Sequence, residues 1–108
     1  MIHTDYGFDT RSRDRLLLVR LYGEIDHHSA VSLRADLDAL LMRERPLRLV
    51  FDLSRVDFMD SAGLGLLMGR YRLMQDLGGV VAIERPGERV LKILRLAGME
   101  RFFEINLA

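Results

Sequence analysis

The sequence predicts a single α/β domain in which a mixed sheet of four to five strands packs against about four helices. Apolar, β-rich runs at residues 16–22, 47–53 and 80–83 alternate with longer segments of helical apolar spacing. The chain has 108 residues, of which 49% are hydrophobic and 30% charged, a composition typical of one globular core. No linker-like stretch interrupts it, so we expect residues 1–108 to form one domain.

The first strand is expected at residues 16–22, where Gly23 ends a run of Leu, Val and Tyr. Residues 3–8 are expected to pair with it as a weak edge strand. The two segments are too close in sequence for a crossover helix, so the sheet is predicted to be mixed.

Three helices and a turn are expected between and after the strands. The first spans residues 29–43, with Asp36 and Asp38 facing outward, and Pro46 ends the segment. The second begins at residues 60–61 and ends at Gly78, and the third spans residues 88–96. Residues 99–103 are expected to form a short amphipathic turn. The apolar positions of the first helix are Val31, Leu33, Leu37, Leu40 and Leu41.

Composition excludes several classes of function. Sixteen basic and sixteen acidic residues give no net charge, which argues against nucleic acid as the main partner. The absence of Cys excludes disulfides, a thiol nucleophile and a cysteine-ligated metal, and favours the cytoplasm. No signal peptide is visible, and the apolar stretch at residues 62–69 is too short to span a membrane.

Ser61 lies between a predicted buried strand and a predicted helix, in the run Asp-Ser-Ala-Gly-Leu-Gly. One interpretation is structural, because Asp and Ser are preferred helix N-caps. The other is functional. The unpaired N–H groups and dipole of a helix N-terminus attract anions, so a phosphate on Ser61 would be tolerated there. Gly63 and Gly65 are expected to keep the approach to Ser61 open.

The glycine spacing also suggests a dinucleotide site. Gly63, Gly65 and Gly69 follow a strand and open a helix, and Glu84 ends the next strand. The spacing is G-x-G-x-x-x-G, one residue longer than the Rossmann fingerprint, and the chain is too short for a second nucleotide-binding half. A small nucleotide-binding or hydrolytic domain, using His27 or Glu84, therefore remains a minor alternative.

Asp26, His27 and His28 resemble part of a metal site or catalytic triad. Neighbouring residues on a helix point about 100° apart, so the two His side chains are poorly placed to share one ion. No nucleophile elbow surrounds a Ser. We therefore predict no catalytic residue, no metal and no cofactor, and expect the protein not to be an enzyme.

Residues 20–30 and 58–65 together resemble the anti-sigma factor antagonists of the STAS domain family. The Asp-His-His sequence and the later Gly69-Arg70-Tyr71 are most similar to the subfamily that antagonises anti-sigma F factors in sporulation. The resemblance covers residues 16–103. It implies a STAS-type fold and a protein whose unphosphorylated form binds an anti-sigma factor and releases the sigma factor. A general-stress sigma antagonist, or another STAS signalling module, is the alternative.

The resemblance also implies partners and a site. The anti-sigma factor would be a serine kinase that inactivates the antagonist by phosphorylating Ser61, and a PP2C-type phosphatase would reverse the modification. Ala62 stands where many relatives have a second hydroxyl residue, so Ser61 is the one candidate in this motif. No direct contact with nucleic acid or membrane is expected. The partner-binding residues are expected to be Glu24, Asp26, Asp60, Ser61 and Gly63.

Overall fold

The computed structural model of the protein describes residues 6–108, and after an initial hairpin strands and helices alternate in this part of the chain. The elements are β1 (Tyr6–Arg13), β2 (Leu16–Ile25), α1 (His27–Glu44), β3 (Arg48–Met59), α2 (Ser61–Asp76), β4 (Val80–Glu84), α3 (Glu88–Leu96), a 3-10 turn (Met99–Arg101) and β5 (Glu104–Asn106).

The strands form one sheet in the order β1-β2-β3-β4-β5. β1 and β2 are antiparallel and the other pairs are parallel, which confirms the predicted mixed sheet. Each helix connects one strand to its next parallel neighbour, always in the same direction along the sheet. Because such connections are right-handed, all three helices lie on the same face of the sheet. The core lies between that face and the helices, and includes Leu17, Phe51 and Ile83 from the strands with Leu67 and Leu94 from the helices.

The α/β class is confirmed, although about four helices were expected and the described residues contain three α-helices and one 3-10 turn. β1 begins at Tyr6 and extends to Arg13, beyond the expected end at residue 8, and residues 3–5 of the expected strand lie outside the described part. β2 does not end at Gly23. This glycine adopts a φ of 89° where the pairing of β2 with β3 shifts, so the strand passes through a bulge and continues to Ile25.

Two further expectations differ from the structure. Val31 is 67% exposed because it lies on the side of α1 turned away from the sheet, whereas Leu33 and Leu37 are buried. Asp38 does not face freely outward, since it is half-buried and pairs with Arg70 of α2. The short strand β5 has no apolar run and was not located from the sequence.

Asp52 lies on the face of the sheet opposite the core, yet its side chain is completely buried. It accepts a hydrogen bond from the Ser54 N–H at 2.9 Å and contacts the guanidinium groups of Arg85 and Arg20. Burial raises the pKa of the Asp52 carboxyl, but the Ser54 N–H and Arg85 outweigh this effect and lower the pKa below its usual value. Asp52 is therefore a charged group that stabilises the folded state.

Asp52→Asn is expected to lower the free energy of unfolding at pH 7 by about 2 kcal/mol, because two guanidinium groups lose a buried charged partner. A lowered pKa means that the contribution is present above about pH 4 and disappears as the pH falls through the pKa of the folded state. The loss should therefore shrink towards pH 3. Urea unfolding at several pH values measures it, with Asp57→Asn, an exposed site on the same strand, as the control. Equal losses at pH 7 and pH 3 would contradict the charged role.

Candidate functional site

The ends of the parallel strands β2 and β3 meet at one edge of the sheet, where each strand passes into a helix. The N–H of Asp60 donates a hydrogen bond to the carbonyl of Ile25 at 3.3 Å, which joins the two strand ends. An aspartate follows each strand, Asp26 before α1 and Asp60 before α2. The N-termini of two helices and two acidic side chains are consequently held side by side.

Asp26 caps α1 through a reciprocal pair of hydrogen bonds with Ser29. Asp26 Oδ1 accepts from the Ser29 N–H at 3.0 Å, and Ser29 Oγ accepts from the Asp26 N–H at 2.9 Å. The backbone hydrogen bond from Ser29 lowers the pKa of the Asp26 carboxyl, against a smaller opposing effect of burial. The Ser29 hydroxyl also lies 2.9 Å from the carbonyl of Glu24, to which it donates.

Asp60 caps α2 and occupies the backbone donors at its start. Asp60 Oδ1 accepts from the Ala62 N–H at 2.8 Å and from the Gly63 N–H at 3.3 Å. The expectation that free N–H groups at this helix end form an anion site is therefore wrong for these two donors, because a carboxylate of the chain itself already binds them. An anion attached here meets a negative charge as well as the helix dipole.

Ser61 is the first residue of α2 and is exposed. Among residues 6–108 the Ser61 hydroxyl has no hydrogen-bond partner, whereas the neighbouring Asp60 is held by its capping contacts. The hydroxyl is thus presented to solvent from the end of a helix that is packed against the sheet.

Gly63 and Gly65 differ sharply in their surroundings. Gly63 is buried, and a side chain there would meet the Met59 side chain and the backbone oxygen of Ile25, which would lie 2.8 Å from its Cβ. Gly65 has no atom within 4 Å of the corresponding position. Gly63 therefore allows α2 to approach the strand ends closely, and Gly65 leaves an open surface next to Ser61.

The structure brings four of the five predicted partner-binding residues to one edge of the sheet. Glu24 is exposed and pairs in register with Phe58, and Asp26, Asp60 and Ser61 follow the two strand ends. Gly63 lies beneath them in the packed interior. We name this edge, formed by Glu24, Asp26, Asp60 and Ser61, the serine edge.

A groove between α1 and α2, which was not located from the sequence, begins at Ala62, the residue after Ser61. We name it the α1/α2 groove; His27, Val31, Arg34, Gly65, Arg70 and Arg72 also line it. Arg70 is buried. Its position gave a signal in the sequence, because residue 70 continues the buried apolar spacing of Leu66, Leu67 and Met74 along α2.

The alternative sites have no supporting geometry. Gly63, Gly65 and Gly69 all lie inside α2, so they do not form the strand-to-helix loop that a dinucleotide site needs. His28 packs edge-on against the ring of Tyr6, with 6.2 Å between centroids, while His27 lies in the α1/α2 groove. Within residues 6–108, no three His, Cys, Asp or Glu side chains are grouped so that they could hold a metal ion.

Among the helices of residues 6–108, none combines the length and the apolar character needed to cross a bilayer.

Comparison with known proteins identifies the class of domain. Residues 7–108 match the STAS domain family, and the chain belongs to this family. Among curated relatives, it is 36% identical to the anti-sigma F factor antagonist of Paenibacillus polymyxa over 90 residues, which cover 83% of this chain and 77% of the relative. It is 31% identical to the anti-sigma-B factor antagonist of Bacillus subtilis (strain 168) over 98 residues, 91% of this chain and 88% of the relative.

Solved structures agree with this assignment. The anti-sigma factor antagonist SpoIIAA in its unphosphorylated form superposes with a TM-score of 0.79 at 27% identity, covering 92% of this chain and 87% of that one. The phosphorylated form of the Bacillus cell fate determinant SpoIIAA gives 0.71 at 26% identity, covering 92% and 90%. The STAS-type fold expected from the sequence is thereby confirmed.

Gly63→Ala is expected to lower the free energy of unfolding by about 1–3 kcal/mol, because its Cβ would clash with backbone and core atoms. Gly65→Ala, the matched control on the same helix, should instead raise it by about 0.5–1 kcal/mol, since alanine is the better helix former and the space is open. Thermal and urea unfolding of both variants measures the difference. A neutral Gly63→Ala would contradict the close approach of α2 to the strand ends.

Proposed function

We propose that this protein is an anti-sigma factor antagonist whose unphosphorylated form binds an anti-sigma factor and so releases the sigma factor, and that phosphorylation of Ser61 inactivates it. The observation that carries the proposal is the exposed Ser61, presented at the start of α2 in a fold shared with SpoIIAA in both its unphosphorylated and phosphorylated forms. The proposed released factor is sigma F, in keeping with the relative of 36% identity.

The proposed partners follow from this role. The anti-sigma factor would also be the serine kinase that modifies Ser61 with ATP, and a PP2C-type phosphatase would restore the active form. We propose that the chain itself acts as a binding protein and kinase substrate, not as an enzyme, and that it works in the cytoplasm with these partners. Glu24 and Asp26 would face basic groups of the kinase across the serine edge.

Electrostatics explains how one phosphate would break the complex. A phosphoserine carries about −1.5 to −2 charges at pH 7, and Asp60 already occupies the nearest backbone donors. The phosphate therefore adds to the negative charge of the serine edge. For the phosphate to repel the partner, a partner carboxylate must lie closer to Ser61 than the basic groups that face Glu24 and Asp26. At a distance of about 5 Å and an effective dielectric of about 20, the repulsion between a doubly charged phosphate and one such carboxylate is about 5–7 kcal/mol. A cost of about 3 kcal/mol lowers affinity more than a hundredfold without any change of fold.

A second candidate is an antagonist of an anti-sigma-B factor, which would act in the general stress response. The anti-sigma-B factor antagonist of Bacillus subtilis matches over a longer part of this chain, 98 residues, at the lower identity of 31%. The two candidates share the site and the mechanism, and they differ in which anti-sigma factor binds. Parallel titrations with an anti-sigma F and an anti-sigma-B factor distinguish them.

Incubation with the cognate anti-sigma kinase and Mg-ATP should add one phosphate to the protein and none to Ser61→Ala. Intact mass measures both. Ser54→Ala, an exposed serine on β3, serves as the control and should be modified like the parent. A complex that forms without phosphate transfer would indicate a STAS binding module that is controlled in another way. A phosphate on Ser61→Ala would show that the modified residue is not Ser61.

Ser61→Asp should bind the anti-sigma factor at least about tenfold more weakly than the parent, because its permanent negative charge would lie near the same partner carboxylate that the phosphate would repel. Ser61→Ala should bind like the parent but resist inactivation. Isothermal titration measures both affinities, and Thr10→Asp on β1 adds the same charge at an exposed position of the edge strand. Equal affinity of Ser61→Asp and the parent would exclude the charge mechanism.

A further inference from the structure

The α1/α2 groove is an open cleft of about 360 Å³ that runs along α2 away from Ser61. Its floor is shaped by small residues, since Ala62 and Gly65 line it and a side chain at Gly65 or Gly69 would meet no atom within 4 Å. Helix–helix grooves are normally closed by larger side chains packed at high density. The groove can therefore accept a side chain that the described part of the chain does not supply.

Arg70 places a buried cationic group in this groove. Its side chain is 5% exposed, and its Nε lies 2.9 Å from Asp38 Oδ1, a charge contact without hydrogen-bond alignment. Nη1 of Arg70 is buried, and among residues 6–108 it has no hydrogen-bond partner. Buried donors left without an acceptor are costly, so an acceptor that enters the groove, which Arg70 lines, would be favoured there.

The charges around the groove do not balance. Arg34 and Arg72 line it together with Arg70, and Asp38 pairs with Arg34 and Arg70. Asp38 is shared, because its second oxygen lies 3.9 Å from Arg34 Nε. Burial lowers the pKa of the Arg70 guanidinium, and Arg34 adds to this effect, while Asp38 opposes it. Three arginines and no acidic residue are among the described residues that line the groove, so the groove favours an anionic occupant.

The lining favours a carboxylate on a protein side chain over a free phosphate. Free phosphate is typically held by backbone N–H groups at a helix start, but Asp60 takes the Ala62 and Gly63 N–H groups at the nearest helix end. The groove instead offers apolar surface beside its arginines, including Val31, which is 67% exposed. An acidic side chain suits this lining, because its carboxylate matches the planar guanidinium groups and its aliphatic part, or an apolar residue next to it, can cover the apolar surface.

We propose that the α1/α2 groove receives an acidic side chain of the anti-sigma factor that covers Ser61. The groove starts at Ala62, directly after Ser61, so a protein bound over the serine edge reaches it without a gap. The inference rests on the proposed function and deepens it. The partner would meet the serine edge with basic groups and the groove with an acidic one, a two-signed pattern that fixes orientation as well as affinity.

Titration of the cognate anti-sigma factor tests the groove. Arg72→Gln and Arg34→Gln should each weaken binding about fivefold to tenfold, and Arg72→Glu about a hundredfold or more. Arg89→Gln on α3, which removes an exposed arginine outside the groove, should bind like the parent. Because Arg70 is buried, it is left intact, and thermal unfolding confirms that the other variants are folded. The salt dependence of the dissociation constant should also flatten in Arg72→Gln.

The possible outcomes distinguish an error in the groove inference from an error in the proposed function. Equal affinity of the parent and all three groove variants, Arg34→Gln, Arg72→Gln and Arg72→Glu, would overturn the inference while leaving the antagonist role intact. Failure of the parent to bind or to be phosphorylated would refute the proposed function. NMR titration of the parent with N-acetylglutamate amide and with inorganic phosphate would then test whether the groove binds a carboxylate. Shifts of the Arg70 Nε–H and the Gly65 amide with the glutamate probe, lost in Arg72→Gln, support a carboxylate site. Shifts with phosphate alone, or with neither probe, overturn it.

Discussion

The close approach of α2 to the ends of β2 and β3 is the constraint on which the site depends. Gly63 makes it possible, because any side chain at that position would collide with the core, and the hydrogen bond from Asp60 to Ile25 fixes it. The approach brings two helix starts together, so that their aspartate caps and Ser61 form one edge. Ser61 is exposed and yet held on a rigid support, which is the combination that recognition by another protein requires.

The two caps also decide what a modification can do at this edge. Because Asp26 and Asp60 already bind the backbone donors of α1 and α2, a phosphate on Ser61 gains little from the helix start and remains a charge directed at solvent. We therefore expect no rearrangement of the fold around the phosphate. In the proposed role, the anti-sigma factor docked there would meet this charge, and the basic groove beside it would offer an oppositely charged contact.

Much of the fold was predictable because apolar periodicity and capping residues carry it. Asp60 before α2 and the buried run at the start of β3 were both identified from local sequence. Features that depend on distant partners were not. The three-residue β5 forms only because β4 lies beside it, and the orientation of α1, which leaves Val31 exposed, depends on how the helix sits on the sheet. Arg70 interrupts the apolar face of α2, and its burial is explained only by Asp38 on α1, with which it pairs.

Asp52 has a further consequence for how the chain finds its structure. The residues next to it on β3, Phe51 and Leu53, face the helices, while Asp52 faces Arg20 and Arg85 on the other side of the sheet. A strand that slipped by a single residue would turn its opposite side inward and bury the carboxylate among leucines, far from any guanidinium. The cost of such a buried, unpaired charge excludes the slipped arrangement. One acidic residue thus acts as a register mark for the central strand.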